Sequence, residues 1–445
     1  MTKIGFISLG CSKNLMDTEV MLHCLADAGY EIVPQDTEAD IVVVNTCGFI
    51  ESAKRESIDT ILDVAWLKKH RSLKGIICTG CLAERYREQI LTEMPEVDAV
   101  LGVGSLQKIV DAVRDIEAGR HGFTAFDDKE HAPLGGDRVL TTPEYTAYLK
   151  IAEGCDNRCT YCAIPLIRGK MRSRTMEDIV AEAQDLEKLG VKELNLIAQD
   201  TTRYGLDLYG RYALADLVEA LCRATSIPWI RLLYCYPDKI TDDLIRALRD
   251  NPRLLPYMDV PIQHISDHVL TAMNRHGNAA TVKDAVRRLR EQVPGITLRT
   301  TAMVGFPGET EEDFAELCAY IKEAKFDRFG AFTYSPEEGT PAADLPDQID
   351  EQTKQDRYDI LMQTQADISR ALQEKKVGQT VTVLCEGYDE AASTHYGRSA
   401  ADAPDIDGKV FFSAPRRVRP GTFVQVQITG ALDYDLTGEM PVNDN

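Results

Sequence analysis

Glu153-Gly154-Cys155-Asp156-Asn157-Arg158-Cys159-Thr160-Tyr161-Cys162 is the run on which the reading of this chain turns. Three thiolates, Cys155, Cys159 and Cys162, within eight residues can wrap one face of a cubane iron–sulfur cluster. The fourth iron is then left without a protein ligand, open to a further molecule. A structural zinc site is the competing reading, but zinc takes a fourth Cys or His at short spacing. None stands close to this run.

A second set of cysteines lies upstream. From Met1 to about Gly119 short apolar runs alternate with amphipathic stretches, the rhythm of a parallel sheet with crossover helices. Lys3 to Leu9 reads as the first strand, and a helix from about Asn14 carries Leu15, Leu22 and Leu25 on one face. Ile41 to Val44 and Gly75 to Thr79 read as buried strands. Each of the three ends at a cysteine beside a glycine: Gly10-Cys11-Ser12, Thr46-Cys47-Gly48 and Gly80-Cys81-Leu82. The carboxyl ends of parallel strands border one crevice, so these cysteines are expected to meet there. A lone free cysteine is commonly a small buried hydrophobe. Three at equivalent strand ends are harder to explain that way. Cys78 forms a CxxC with Cys81 but lies inside its strand and reads as core; Cys24, Cys222, Cys235, Cys318 and Cys385 have no partner spacing.

The 445 residues allow about three domains at ~150 residues each. Twelve cysteines without a signal peptide argue for a reducing compartment. No apolar run approaches the ~18 residues that cross a bilayer. The protein is expected to be cytoplasmic and soluble, with no membrane partner.

The C-x3-C-x2-C spacing with an aromatic before the last cysteine resembles the radical S-adenosylmethionine superfamily. Leu9-Gly10-Cys11-Ser12-Lys13-Asn14, Asn45-Thr46-Cys47-Gly48-Phe49-Ile50 and Thr79-Gly80-Cys81-Leu82-Ala83-Glu84-Arg85 resemble the N-terminal domain of the methylthiotransferases. Ile164-Pro165-Leu166-Ile167-Arg168-Gly169-Lys170-Met171-Arg172-Ser173-Arg174 resembles their central domain, and the match runs through nearly the whole chain. The resemblance implies two [4Fe-4S] clusters. One, on Cys155, Cys159 and Cys162, binds S-adenosyl-L-methionine and cleaves it reductively to a 5'-deoxyadenosyl radical; the other, on Cys11, Cys47 and Cys81, handles sulfur. A flavodoxin- or ferredoxin-type electron donor is implied, and the sulfur donor is left open. Cys11 to Asp17 and Cys47 to Lys54 resemble the branch that modifies an aspartate of the small-subunit decoding-centre ribosomal protein; the branches acting on transfer RNA adenosines typically differ there.

The fold expected is α/β in three parts. Residues 1–120 form an open parallel-sheet domain, and a loop-rich linker, 121–143, carries Gly122, Pro133, Gly135 and Gly136. Within 144–346 six strand-like runs alternate with helical ones: Ala147 to Ala152, Glu193 to Ala198, Trp229 to Tyr236, Met258 to His264, Thr297 to Gly305 and Arg328 to Tyr334. They suit a partial TIM-like barrel with the cluster loop after its first strand and the active site at the strands' carboxyl ends. There the candidates for holding S-adenosylmethionine are Gln199 at the end of the second strand, Gln263 in the fourth, and Gly305, Gly308 and Glu309 after the fifth. Glycines let a ligand approach the backbone closely, although Gly305-Phe306-Pro307-Gly308-Glu309 alone also reads as a turn before a helix near Thr310. The resemblance also lays Tyr161 against the adenine. A linking helix, 347–376, repeats Tyr358, Leu361, Gln365, Ile368 and Leu372 at spacings of three and four. Residues 377–445 switch to short strands, Thr380 to Cys385, Lys409 to Phe412 and Thr422 to Thr429, and suggest a small antiparallel, OB-like β-barrel resembling the TRAM domain.

Charge bears on the substrate. The chain carries a net −21, and from Val377 to Asn445 ten acidic residues face five basic ones, a net −5. A barrel gripping transfer RNA should be basic; an acidic one repels RNA and attracts a basic ribosomal protein. Surplus carboxylates also simply keep a protein soluble, and Arg416-Arg417-Val418-Arg419 is a local basic patch. The leading expectation is radical methylthiolation of the β-carbon of an aspartate in that ribosomal protein, with no strong transfer RNA binding. The β-carbon is unactivated, so a radical is needed to replace its hydrogen. The runner-up substrate is a transfer RNA adenosine. An iron–sulfur electron carrier or redox sensor is the reading from another class, and a carrier needs no barrel cavity. Both cysteine sets lie upstream of Val377, so the tail reads as dispensable for cleavage of S-adenosylmethionine.

Overall fold

In the computed structural model, which describes residues 1–441, the first sheet consists of β1 (Lys3–Ser8), β2 (Glu31–Val33), β3 (Ile41–Thr46), β4 (Gly75–Gly80), β5 (Ala99–Leu101) and β6 (Phe123–Ala125). All pairs are parallel, in the order β2-β1-β3-β4-β5-β6. Every residue of β3 and β4 is buried, because helices cover both faces. The sixth strand falls within 121–143, so the loop-rich segment first completes the N-terminal sheet. Phe123-Thr124-Ala125 is too short to read as a strand; pairing with β5 makes it one.

The first helix, Ser12–Asp27, buries Met21 and Leu25 on the sheet. It also buries its polar side: Lys13, Asn14, Asp17, Thr18 and Glu19. Thr18 bonds back to Ser8 and Asn45 of the sheet, whereas Asp17 meets the central domain, accepting from Lys150 Nζ at 2.9 Å and Arg168 Nη1 at 2.5 Å, and Glu19 pairs with Arg138 of the linker. Leu15 lies on this second side as well, packed toward Tyr145 and Trp229 rather than against the sheet.

After β7 (Thr146–Lys150), a two-residue ribbon of β8 (Ala152–Glu153) and β9 (Arg172–Ser173) pairs antiparallel. Next come β10 (Glu193–Ile197), β11 (Trp229–Leu232), β12 (Leu254–Asp259), β13 (Thr297–Val304) and β14 (Arg328–Thr333). The six-stranded parallel sheet, in the order β14-β13-β12-β11-β10-β7, is the expected partial barrel. The fourth strand starts and stops earlier than its apolar run suggests. Pro261 has no N–H to give a ladder, and Gln263, at φ +65°, lies four residues past the strand's end.

The linking helix, Glu351–Glu374, buries Leu361 and Gln365 of the expected face and, beside them, Lys354, Arg357, Ser369 and Gln373, with Tyr358 and Ile368 half-buried against the barrel core. Gln365 donates to Phe326 O at 2.9 Å. Beyond it a closed barrel of β15 (Thr380–Asp389), β16 (Thr394–Ser399), β17 (Val410–Ser413), β18 (Phe423–Ala431) and β19 (Leu436–Glu439) forms in the order β15-β16-β17-β19-β18. β16 and β19 escape a reading by apolar alternation because they carry His395, Gly397, Arg398 and Gly438. One pairing, β17 with β19, is parallel in an otherwise antiparallel barrel.

This small barrel is fastened to the central one by buried charge. Glu193 accepts from Arg231 Nη2 at 3.0 Å and from Arg398 Nη2 at 2.5 Å; Asp402 pairs with Arg328; Asp407 accepts from Tyr257 OH at 2.6 Å. Glu193 and Arg328 are the first residues of their strands, so the tail seals the end of the barrel away from the cysteine loop. Among the described residues no helix is long and apolar enough to cross a membrane.

Candidate active site

The three N-terminal cysteines stand where parallel strands end. Cys11 precedes the first helix, Cys47 follows β3, and Cys81 opens the short helix Cys81–Tyr86 after β4. Asn14 ties the first two turns together, its Nδ2 donating to Leu9 O at 2.7 Å and to Thr46 O at 3.2 Å. Ser57 fixes Cys47 on both sides, accepting from its N at 3.0 Å and donating to its O at 2.8 Å. Gly10 sits at φ +86°, and a Cβ there would come within 2.9 Å of Cys47 Cβ. A Cβ on Gly48 would lie 2.7 Å from Leu82 N. The glycines beside the cysteines are therefore required by close approach. Burial pushes the Cys47 thiol up to about 12, with Cys81 and Cys11 adding to the effect. It raises Cys81 too, against the pull of Arg168.

The central cysteines lie on the loop after β8. Gly154, at φ +79°, passes so close to the returning strand that a Cβ would be 2.0 Å from Lys170 O, and Cys155 N donates to Gly169 O at 3.1 Å. The run that follows the cysteines thus packs under their loop. Asn157 Nδ2 donates to Asp200 Oδ2 at 2.7 Å, Thr160 N to Met273 O at 3.0 Å, and Cys162 N to Cys159 O at 3.1 Å. Cys159 Sγ lies 2.9 Å from Tyr236 OH. Burial raises Cys155 to about 11 and also raises Cys162.

These donor sets fit cubane clusters. Thiols on three irons of a cubane stand further apart than ligands of one ion. Each triad offers three thiols and no fourth protein ligand. Ser12 Oγ beside Cys11 is buried without a partner.

Of the other residues singled out, Gln199 donates to Glu153, and its Oε1 is buried without a partner. Gln263 is held by its backbone, N to Thr301 O at 2.8 Å and O from Met303 N at 2.7 Å. Tyr161 packs in a cluster with Met273, Phe306 and Tyr334. Gly308 is open, whereas Gly305 faces the linking helix, where a Cβ would meet Lys354 Cγ at 2.2 Å. Glu309 is 2% exposed, and its carboxylate accepts from Gly305 N at 2.7 Å, Phe306 N at 3.2 Å and Arg357 Nη1 at 3.0 Å. It closes its own loop; burial pushes its carboxyl up to about 7. Thr310 caps the next helix in a capping box with Asp313, so the loop is also the turn that its sequence suggests.

His264 stands behind this loop, its Nδ1 accepting from Ser266 N at 3.1 Å and its Nε2 4.0 Å from Glu309 Oε2. Protonating Nδ1 would set two N–H groups against each other, and burial lowers the ring to about 4. A depressed folded value gives stability that is present above the unfolded pKa of ~6.5 and lost as pH falls toward about 4, about 3 kcal/mol in all. Glu309, raised to about 7, acts in the opposite sense over nearly the same window, so the loss is read as a difference. By denaturant titration the native chain should lose stability relative to His264→Gln, which keeps an acceptor for Ser266, as pH falls from ~6.5 toward about 4.

What sequence reading missed lies between the two cysteine sets. Arg168 Nη2 is 3.4 Å from Cys81 Sγ, while its Nη1 reaches Asp17 at 2.5 Å and Glu153 at 3.4 Å. Lys150 joins the same two carboxylates at 2.9 Å each. The network is buried, touches Cys81 at one end, and at the other ends on Glu153, two residues before Cys155 in the chain. A cavity of about 350 Å³ between the domains opens onto it, lined by Asp17, Lys150, Glu153, Arg168 and Arg172 among others. Gly10→Ala is expected to displace Cys47 and so halve the iron bound, leaving the central triad loaded; iron analysis of the reconstituted variant checks it.

Residues 3–102 match the family described as Uncharacterized protein family UPF0004, residues 149–321 the Radical SAM superfamily and residues 377–440 the TRAM domain. The chain is similar to the ribosomal protein uS12 methylthiotransferase RimO of Desulforamulus reducens, 50% identical over 446 residues covering 99% of this chain and 100% of that one. It is 51% identical to the RimO of Pelotomaculum thermopropionicum over 98% of this chain and 99% of the other. Among solved structures its fold resembles the radical S-adenosylmethionine methyltransferase TsrM of Kitasatospora setae, with a TM-score of 0.58, 13% identity, and coverage of 87% of this chain and 79% of that one. With the two cysteine triads at the strand ends of two parallel sheets and relatives matched from end to end, the chain belongs to the RimO family of radical S-adenosylmethionine methylthiotransferases, enzymes that work with S-adenosylmethionine and two [4Fe-4S] clusters.

Proposed function

We propose that this enzyme methylthiolates the β-carbon of an aspartate in the ribosomal protein uS12. Cys155, Cys159 and Cys162 hold the cluster that binds S-adenosylmethionine, and Cys11, Cys47 and Cys81 hold the one that carries sulfur. The observation that carries the reading is the pair of cysteine sets, each at the carboxyl end of a parallel sheet, with Arg168 reaching from the central domain to Cys81. When loaded, the central site supplies one-electron cleavage of the sulfonium, and with it a radical able to take hydrogen from an unactivated carbon. The chain's own groups prepare that step. Asn157 and Asp200 tie the cysteine loop to the second barrel strand, and Tyr236 OH meets Cys159. The Glu309 carboxylate shapes the glycine loop beside Tyr161, and Gln199 turns an unpartnered oxygen to a ligand. Residues 1–120 are the sulfur-handling unit, 144–346 the radical unit and 377–445 the substrate-recognition unit, the last four residues of which lie outside the described ones. A flavodoxin- or ferredoxin-type protein supplies electrons in the cytoplasm.

Mass spectrometry of uS12 and of transfer RNA from cells lacking this gene tests the substrate. Loss of a methylthio group from a uS12 aspartate is expected. Unmodified transfer RNA adenosines alongside intact uS12 would overturn the proposal in favour of the nucleic-acid substrate. Arg417 of the tail's basic run is already paired with Glu390 and stacked on Tyr388, which weighs against an RNA grip there.

A further inference from the structure

We propose that Arg168 is the positioning residue of the N-terminal cluster: it fixes Cys81 Sγ for iron and, from the other domain, raises that cluster's reduction potential. The inference rests on the assignment of Cys11, Cys47 and Cys81 given above.

Arg168 ends the short helix Ile164–Arg168, which Gly169 terminates at φ +76°. Its side chain crosses the domain boundary and is 3% exposed. Nη2 forks between Cys81 Sγ at 3.4 Å and Asn14 Oδ1 at 3.1 Å, while Nη1 points back to Asp17 and Glu153. A planar guanidinium can serve both directions at once; an ammonium on a flexible stem cannot. Two buried cations, Arg168 and Lys150, face two buried carboxylates, Asp17 and Glu153, so the network is neutral before any thiolate forms. The negative charge that iron ligation creates on Cys81 then lands beside a guanidinium that is already in place.

An N–H aimed at a ligating sulfur stabilises the reduced, more negative cluster over the oxidised one and raises its potential. A full charge nearby acts in the same sense. Because Cys81 belongs to the N-terminal domain and Arg168 to the central one, the site reaches its working potential only when the two are docked. The plainer reading is that Arg168 merely pairs buried carboxylates that hold the domains together. The two differ in what they do to the potential.

The test uses the full chain with Cys155, Cys159 and Cys162 replaced by Ala, so that a single cluster titrates. Potentials are read by redox titration with electron paramagnetic resonance for this background, for Asp17→Asn, and for Arg168→Met combined with Asp17→Asn. The double substitution removes one cation and one anion together and spares the Lys150–Glu153 pair. A more negative potential in the double variant, but not in Asp17→Asn alone, is expected. Arg168→Gln combined with Asp17→Asn, which keeps an N–H donor in a neutral network, should fall between. Should the Arg168→Met pair fail to fold, this second pair carries the test. A cluster that forms in these variants at the background potential, even with a lowered melting temperature, would refute the proposal. Absence of iron from the background protein itself would instead refute the assignment of the N-terminal cysteines.

Discussion

Replacing Cys155, Cys159 and Cys162 together by Ala is expected to halve the iron of the reconstituted protein and to abolish formation of 5'-deoxyadenosine. Each thiol is the proposed ligand of one iron, and the sequence close to the run supplies no other Cys or His to replace it. Loss of the one-electron cleavage removes the whole rate enhancement at an unactivated carbon, an effect of many powers of ten. Replacing Cys11, Cys47 and Cys81 should also halve the iron yet leave some cleavage, since Cys155, Cys159 and Cys162 are anchored by Gly169, Asp200 and Met273, all within the central domain. Iron unchanged in the second variant would sink the N-terminal assignment. Iron assay and chromatography of the nucleoside products read both.

The barrel strands, the fourth shifted in its bounds, and the parallel N-terminal sheet are legible because each is a local signal, an apolar run bounded by glycine; the cysteine spacings are local signals too, and their role as cluster ligands is what the substitutions above test. What was not legible is what depends on contacts between distant segments. Asp17, Glu19, Glu153 and Arg168 look in sequence like solvated charges, as does Lys150 at the end of its strand, and all are buried. Their partners lie on another domain, as with Asp17 and Arg168, and no periodicity reports that. The same holds for Glu309. In sequence it stands at the end of a glycine loop like a ligand contact, and in the fold the N–H groups of Gly305 and Phe306 turn it inward. On the linking helix the spacing marks Leu361 and Gln365, both buried, but does not mark Lys354 and Arg357, which are buried because Tyr334 and Glu309 of the central domain meet them.

The tail is the clearest reversal. Because both cysteine sets lie upstream of Val377, its removal was expected to spare cleavage of S-adenosylmethionine. The structure predicts otherwise. Without it Glu193 loses Arg398, Arg328 loses Asp402, and Tyr257 and Arg299 lose Asp407, all inside the barrel's end. Breaking one buried pair by removing one partner costs about 3–5 kcal/mol, and a domain's whole stability is about 5–15 kcal/mol. Arg398→Met, which leaves Glu193 buried beneath an intact tail, should lower stability by about 3–5 kcal/mol in a folded chain. Deleting Val377 to Asn445 instead hands these charges to water but strips the cover from Trp229 and Leu255. The central barrel should then lose stability and, at temperatures the full chain withstands, cleavage. Denaturant unfolding and cleavage assays decide, and a deleted chain that melts and cleaves like the full one would show that the seal carries no stability. Substrate recognition by the tail is then to be tested on its open face, by reversing the charge of the exposed Asp389, Glu390 and Glu439. Such a variant should keep cleavage and weaken its hold on basic uS12. In the parent that hold should fall as salt rises, since exposed charges are screened beyond a Debye length of ~10 Å at 0.1 M.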